Sequence, residues 1–326
     1  MTDNQITDFV THRVADKGNV NIEIIDVLSG QRAMFTEESP EAIREVGITQ
    51  VAEPLRPWWQ PMKENAWIPI KPESDDPIGY AMLLNIAPLD MDRARAIAGL
   101  DRFGNAGSLE ACADAIVQAF DRLEPAAHGI SLPTIRYTLA LANPSIVQER
   151  DQFAGYVGFG GIPGQIMMIA LPNDYNMTRL AAMAAHEAHH NVRLTHEPWD
   201  PATITVGQYI VLEGLAEAFS VEMFGEESLG PWTLMHSEDL LRQYRPRFRE
   251  VLDTVGDPRG YMFGDWAAAE FHYEPTGLPD YIGYGMGYRI VKSFLEATGR
   301  TATEASYLPW REIVAGAGWL HDTEAG

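Results

Sequence analysis

One cysteine in 326 residues excludes an internal disulfide and a thiolate metal cage. That residue, Cys112, sits in the mostly apolar stretch Ala111–Ala119, where a buried and inert thiol is expected. Basic residues are also scarce: 24 Lys and Arg against 46 Asp and Glu leave a formal net charge of −22. So acidic a surface repels phosphate, and neither nucleic acid nor an anionic membrane is expected as a partner. The densest basic cluster is only Arg242, Arg245, Arg247 and Arg249. No run reaches the roughly 18 uninterrupted apolar residues of a membrane span. Met1-Thr2-Asp3-Asn4-Gln5 has neither the basic nor the apolar region of a secretory signal. A soluble, cytoplasmic protein is expected. Fixed-period repeats and low-complexity tracts are missing as well.

Hydrophobic residues make up 46% of the chain, enough for a substantial core in one large domain or two modest ones. Asn19–Leu28 alternates like a strand, and Ser39–Leu55 has helical spacing. Pro57, Trp58, Trp59 and Pro61 read as an aromatic, proline-rich connector, and Leu109–Leu123 as an amphipathic helix. The pattern changes near His128, which separates an N-terminal region, 1–125, from a region 126–326 that carries the chemistry. Thr134–Ala142 alternates as a strand. Gly155, Gly158, Gly160, Gly161 and Gly164 read as a loop, and Gln165–Leu171 as a short apolar strand. Asn173, Asp174 and Asn176 offer caps for a helix over Met177–Leu194. Helical pattern then fills Val206–Phe224, Trp232–Val255 and Met286–Ala297. The class is α+β, a small mixed sheet followed by a largely helical C-terminal half.

His186-Glu187-Ala188-His189-His190 matches H-E-x-x-H. Side chains four apart on a helix project from one face, so His186 and His190 can reach a single Zn²⁺. Glu187 sits beside the first of them, where a general base is needed to take a proton from water. The preceding Leu180-Ala181-Ala182-Met183-Ala184-Ala185 is apolar, which speaks for an internal helix and against a solvated polar patch. His189 points elsewhere, as a supporting or a solvated residue.

A hydrolytic zinc site takes three protein ligands and leaves one position open. His196 stands where a longer pattern, H-E-x-x-H-x-x-G-x-x-H, puts a third histidine, but Arg193 replaces its turn glycine. Glu213 is the better candidate. In Val211-Leu212-Glu213-Gly214-Leu215-Ala216-Glu217 its helical neighbours Tyr209, Ile210 and Ala216 make an apolar face that Glu217 shares one turn on. Two acids there need compensation: zinc for Glu213, and a ring N–H of a ligand histidine for Glu217. Gly214 clears space for a helix to approach.

His186–His190 followed by Glu213–Glu217 resembles the gluzincin zinc metallopeptidases, whose third ligand is a glutamate on a later helix. More narrowly, the chain resembles a bacterial family of predicted zinc-dependent proteases filed as a domain of unknown function, with H-E-x-H-H, E-G-L-A-E and G-Y-x-x-G-Y-x-I-V. The last piece stands here as Gly283-Tyr284-Gly285-Met286-Gly287-Tyr288-Arg289-Ile290-Val291. The resemblance runs from Thr134 to the C-terminal region. It implies a zincin-like fold, one Zn²⁺ per chain on His186, His190 and Glu213, Glu187 as general base, Glu217 behind the ligands, and a peptide or protein substrate. In that layout a sheet edge beside the active helix holds the substrate in extended form, and Gln165–Leu171 is the expected strand. Tyr284 and Tyr288 are candidates for hydrogen-bonding the oxyanion, with His236 and His272 as alternatives. Two other classes stay open: a zinc-binding interaction module without hydrolysis, and a zinc hydrolase of a non-peptide amide or ester. A phosphate-binding loop is excluded, because a strand rather than a helix follows the glycines.

Overall fold

The structure is a computed structural model that describes residues 10–11, 20–64, 72, 74–145, 155–200 and 202–321. Met1–Gln5 and Asn19 lie outside the described residues. The architecture is mixed α+β, and the chain divides into two compact units, residues 1–191 and 192–326. The boundary falls inside the helix Leu180–His196.

The first unit is built on a five-stranded sheet in the order β1-β2-β3-β5-β4. The strands are β1 (Val10–Thr11), β2 (Asn21–Ile25), β3 (Thr134–Leu141), β4 (Tyr156–Ile162) and β5 (Gln165–Ala170). The pairs β2–β3 and β3–β5 are parallel; β1–β2 and β4–β5 are antiparallel. Because β2 pairs with β3, one sheet takes strands from both sides of residue 125. The amphipathic helix Ser108–Leu123 buries Cys112, Ile116, Ala119, Phe120 and Leu123 along one face. Gln31, buried on the helix Val27–Thr36, donates to the carbonyl of Leu141 at 3.1 Å and accepts its N–H at 2.8 Å, tying that helix to the end of β3.

Three expectations are corrected here. The glycine-rich stretch is a strand rather than a loop: β4 carries Gly158, Gly160 and Gly161 and pairs with β5. That pairing puts β5 inside the sheet, so Gln165–Leu171 is not the edge. The edge is β4. β5 is flanked by β3 and β4 and is buried along nearly its whole length, the pattern of a strand covered on both faces. The connector at Pro57–Pro61 is also a helix, Arg56–Glu64, with Pro61 inside it. Burial of Trp58, Trp59 and Met62 along one face outweighs the lost backbone bond, and the Trp59 indole donates to the carbonyl of Ala52 at 2.7 Å.

The second unit is helical. Val206–Phe224 is capped by Thr205, whose side chain accepts from the N–H of Gln208, and the helix is buried on nearly every side, as its mostly apolar sequence requires. It packs on Ile282–Thr298 at backbone contact. A Cβ on Gly214 would stand 2.3 Å from the carbonyl oxygen of Gly287, and one on Gly287 would stand 2.0 Å from that of Ile210. Among the described residues, no helix is long and apolar enough to cross a membrane.

Two outcomes follow from this packing. Gly287→Ala forces the two helices apart and should lower stability by about 1–3 kcal/mol or more, read as the denaturant midpoint. Cys112 is fully buried, and burial pushes its thiol up to about 12, so it should resist a thiol reagent at pH 8 in the folded chain. After denaturation it should react as one equivalent.

Candidate metal centre

The helix Leu180–His196 begins in a run of alanine and other strong helix formers, and its buried face continues into the histidines. His186, Glu187, His189 and His190 are all buried. The Nε2 atoms of His186 and His190 lie 3.0 Å apart with their ring planes at 86°, so both nitrogens converge on one point. His189 is completely buried, which rules out the solvated alternative.

Residues 187 and 191 lie about 100° further round the helix, and this face meets β4. A Cβ on Gly158 would stand 2.1 Å from Oε1 of Glu187, and one on Gly160 would stand 2.2 Å from its backbone oxygen. The strand backbone therefore lies directly on the glutamate. The glycines that read as a loop in sequence are what permits this contact, and their every-other-residue spacing puts 158 and 160 on one strand face.

His186, His190 and Glu213 form one buried group in which each offers a ligand atom, all within 4.8 Å of one another. Zn²⁺ bound at about 2.0–2.2 Å in tetrahedral geometry keeps its donors roughly 3.3–3.6 Å apart. The 3.0 Å between the two imidazole nitrogens and the 4.8 Å within which the whole group lies stand on either side of that value. Two imidazoles and a carboxylate are also the donor chemistry zinc takes, and a dication offsets part of the cost of burying carboxylates. The residues present fit the metal.

The other expected site residues all belong to the second unit. Glu217, one turn on, is buried and accepts the N–H of Gly230 at 3.0 Å. Tyr288 is nearly buried, and burial raises its hydroxyl above the ordinary tyrosine range. Lys292 opposes that shift, while Glu226 and Glu217 add to it. Tyr284 is half-buried, in ring contact with Trp232 at 5.6 Å and Phe263 at 6.3 Å. His236 is bonded to the carbonyl of Asp280 at 2.6 Å, and His272 is exposed. His196 is exposed and packs edge-on against Tyr307 at 5.5 Å, outside the buried group.

Two residues of this region carried no sequence signal of their own. Tyr209, one turn before Glu213, has its hydroxyl raised well above the usual value by burial first and then by the charge of Glu213. Its spacing of four was visible, but only as part of an apolar face. Asn191, directly after the motif, makes four hydrogen bonds to the β4–β5 hairpin.

An α+β chain with a buried His-His-Glu group has the parts of a metal-binding protein. The family model described as Predicted Zn-dependent protease (DUF2268) matches residues 112–315, and the chain belongs to that family. It is similar to the uncharacterized protein YjfC of Bacillus subtilis (strain 168), with 39% identity over 191 residues, covering 58% of this chain and 63% of that one. It is also similar to the uncharacterized protein YjaZ of the same organism, with 29% identity over 147 residues, covering 44% and 52%. The matched region thus spans less than two thirds of either relative's length. No solved structure matches the chain.

Close contact at Gly158 is testable against a glycine without neighbours. Gly104, an exposed position on the helix Arg93–Asn105, has nothing within 4 Å of an added Cβ. Gly104→Ala should leave stability unchanged or raise it by up to about 1 kcal/mol. Gly158→Ala should lower it by about 1–3 kcal/mol. Comparison of the two denaturant midpoints reads the difference.

Proposed function

We propose that this chain is a mononuclear zinc metallopeptidase of the gluzincin type, with a zincin-like fold and a peptide or protein substrate. The observation that carries the reading is the buried group of His186, His190 and Glu213, together with Glu187, the residue after His186, which lies against the edge strand β4. Zinc held by those three residues would supply Lewis acidity toward water and the scissile carbonyl. Glu187 takes the proton of the attacking water on its carboxylate and delivers it to the leaving nitrogen. An extended peptide pairs with the outward backbone groups of β4, which gives affinity without a demand for particular side chains.

Of the two tyrosines, Tyr284 is the one assigned to the oxyanion. It touches Phe263, which also contacts Tyr209 at 6.3 Å, one turn from Glu213. Tyr288 stands instead in the field of Glu217, Glu226 and Lys292.

Reconstituted protein should hold about one Zn²⁺ per chain and cleave members of a peptide library. Glu187→Gln keeps size and hydrogen bonding but removes the base, so zinc should stay while hydrolysis falls by about 10²–10⁴-fold. His190→Ala and Glu213→Ala should lose the metal, whereas Glu217→Ala should weaken zinc binding by about 10–100-fold. Zinc content measured beside turnover decides the matter. A Glu187→Gln protein that cleaves at the wild-type rate overturns the mechanism. A zinc-loaded wild type that cleaves no peptide leaves the binding module or the non-peptide hydrolase.

A further inference from the structure

The hairpin that carries the sheet edge is irregular at its turn. The β4–β5 register shifts between Phe159 and Ile162, and Pro163–Gly164 closes the turn with Gly164 at φ +79°. A bulge and a tight turn together leave backbone groups that the ladder does not pair. Such an edge also resists slippage poorly, because glycine supplies no side chains to fix register.

Asn191 meets the backbone at this bulge and turn. Its amide nitrogen donates to the carbonyls of Gly160 at 3.0 Å, Ile162 at 2.9 Å and Gln165 at 2.9 Å, while its oxygen accepts the N–H of Gly164 at 2.7 Å. The side chain is completely buried. It also lies one turn after Glu187, on the helix face that touches Gly158 and Gly160. One carboxamide thus spans the bulge and the turn and fastens both to the helix that carries the general base.

We infer that Asn191 is a positioning residue for peptide hydrolysis. It fixes the register of β4 against Glu187, and so determines which peptide bond of a strand-paired substrate lies at the base. The inference rests on the metallopeptidase reading given above. It assigns Asn191 no contact with substrate or metal. An amide suits the task because it offers donors and an acceptor within one group, whereas an aspartate in its place has no donors and adds a charge facing three carbonyl oxygens.

The test uses the full zinc-loaded chain with Asn191→Ala and Asn191→Asp. Gln31→Ala serves as structural control, since Gln31 is also a buried carboxamide bonded both ways to a strand, at Leu141. Amide hydrogen exchange on the β4–β5 hairpin should rise by about 10-fold or more in the Asn191 variants. They should keep about one zinc, and kcat/KM on a defined peptide should fall by about 10²-fold with KM raised. Cleavage should spread over neighbouring bonds. Gln31→Ala should lower the denaturation midpoint and leave KM and the cleavage position unchanged. Faster hairpin exchange with wild-type KM and one cleavage position would reduce Asn191 to a structural residue and overturn the inference, as would loss of zinc from the Asn191 variants. If Asn191→Ala does not fold, Asn191→Ser carries the same measurements. A wild type that cleaves no peptide overturns the underlying reading as well, so the two failures are told apart by the wild-type assay.

Discussion

The backbone of β4 lies on the helix Leu180–His196 only because residues 158 and 160 have no side chains. A single methyl at either position would stand little more than 2 Å from Glu187. This contact orders the rest of the region. A helix is rigid over one turn, so the face that meets the strand and the face that carries His186 and His190 keep a fixed angle to each other. The position of the strand therefore sets the position of the Glu187 carboxylate relative to the two imidazoles. Asn191 closes the arrangement by hydrogen-bonding the backbone of the bulge and of the turn. Glycine gives the closeness, and the carboxamide gives the register that glycine cannot.

Glycine plays a second part in the helical unit. Gly214 and Gly287 bring Val206–Phe224 and Ile282–Thr298 to backbone contact, so Glu213 stands next to the tightest point of that packing. Its carboxylate is carried by an element with almost no freedom to shift. The run Glu213-Gly214-Leu215-Ala216-Glu217 then has a physical reading at each position: a donor, a helix contact, two core residues, and an acid that holds the N–H of Gly230. Of the glycines around Tyr284 and Tyr288, Gly287 makes the same contact from the other side, whereas Gly283 clears space for Tyr261 and Met262, and Gly285 for Leu241 and Thr233.

How far the sequence foretold this depends on what each segment needed from the rest of the chain. Val206–Phe224 was legible, since a helix with a side-chain cap and a mostly apolar sequence declares itself locally. The His186–His190 spacing was legible for the same reason: one helical turn is enough to bring the two nitrogens together. Glu213 was harder, because the 22 residues between it and His190 fix no geometry; its apolar helix face and the family pattern pointed to it before the buried group was seen. The sheet was misread where tertiary contact overrides local preference. Glycine is a poor strand former, yet β4 is a strand because its pairing with β5 and its seat on the helix require that extended backbone. The misplaced edge followed directly, since a glycine loop would have left β5 as the last strand. Pro57–Pro61 was misread in the opposite sense, through the burial of two tryptophans. The short helices between Pro77 and Asn105 carried no motif and were not foreseen at all.

The number of donors separates two uses of the same metal. A closed structural zinc site takes four protein ligands; the buried group here has three among the described residues. The acid next to the first histidine is not in that group, yet it is buried under a strand whose glycines leave just enough room for it. Burying a carboxylate costs several kcal/mol before compensation, and glycine at two strand positions lowers the strand's own stability. A site that only stapled helices together would gain nothing from either feature. A site that must hold a base still beside an open coordination position needs both, and this physical asymmetry supports hydrolysis over mere binding.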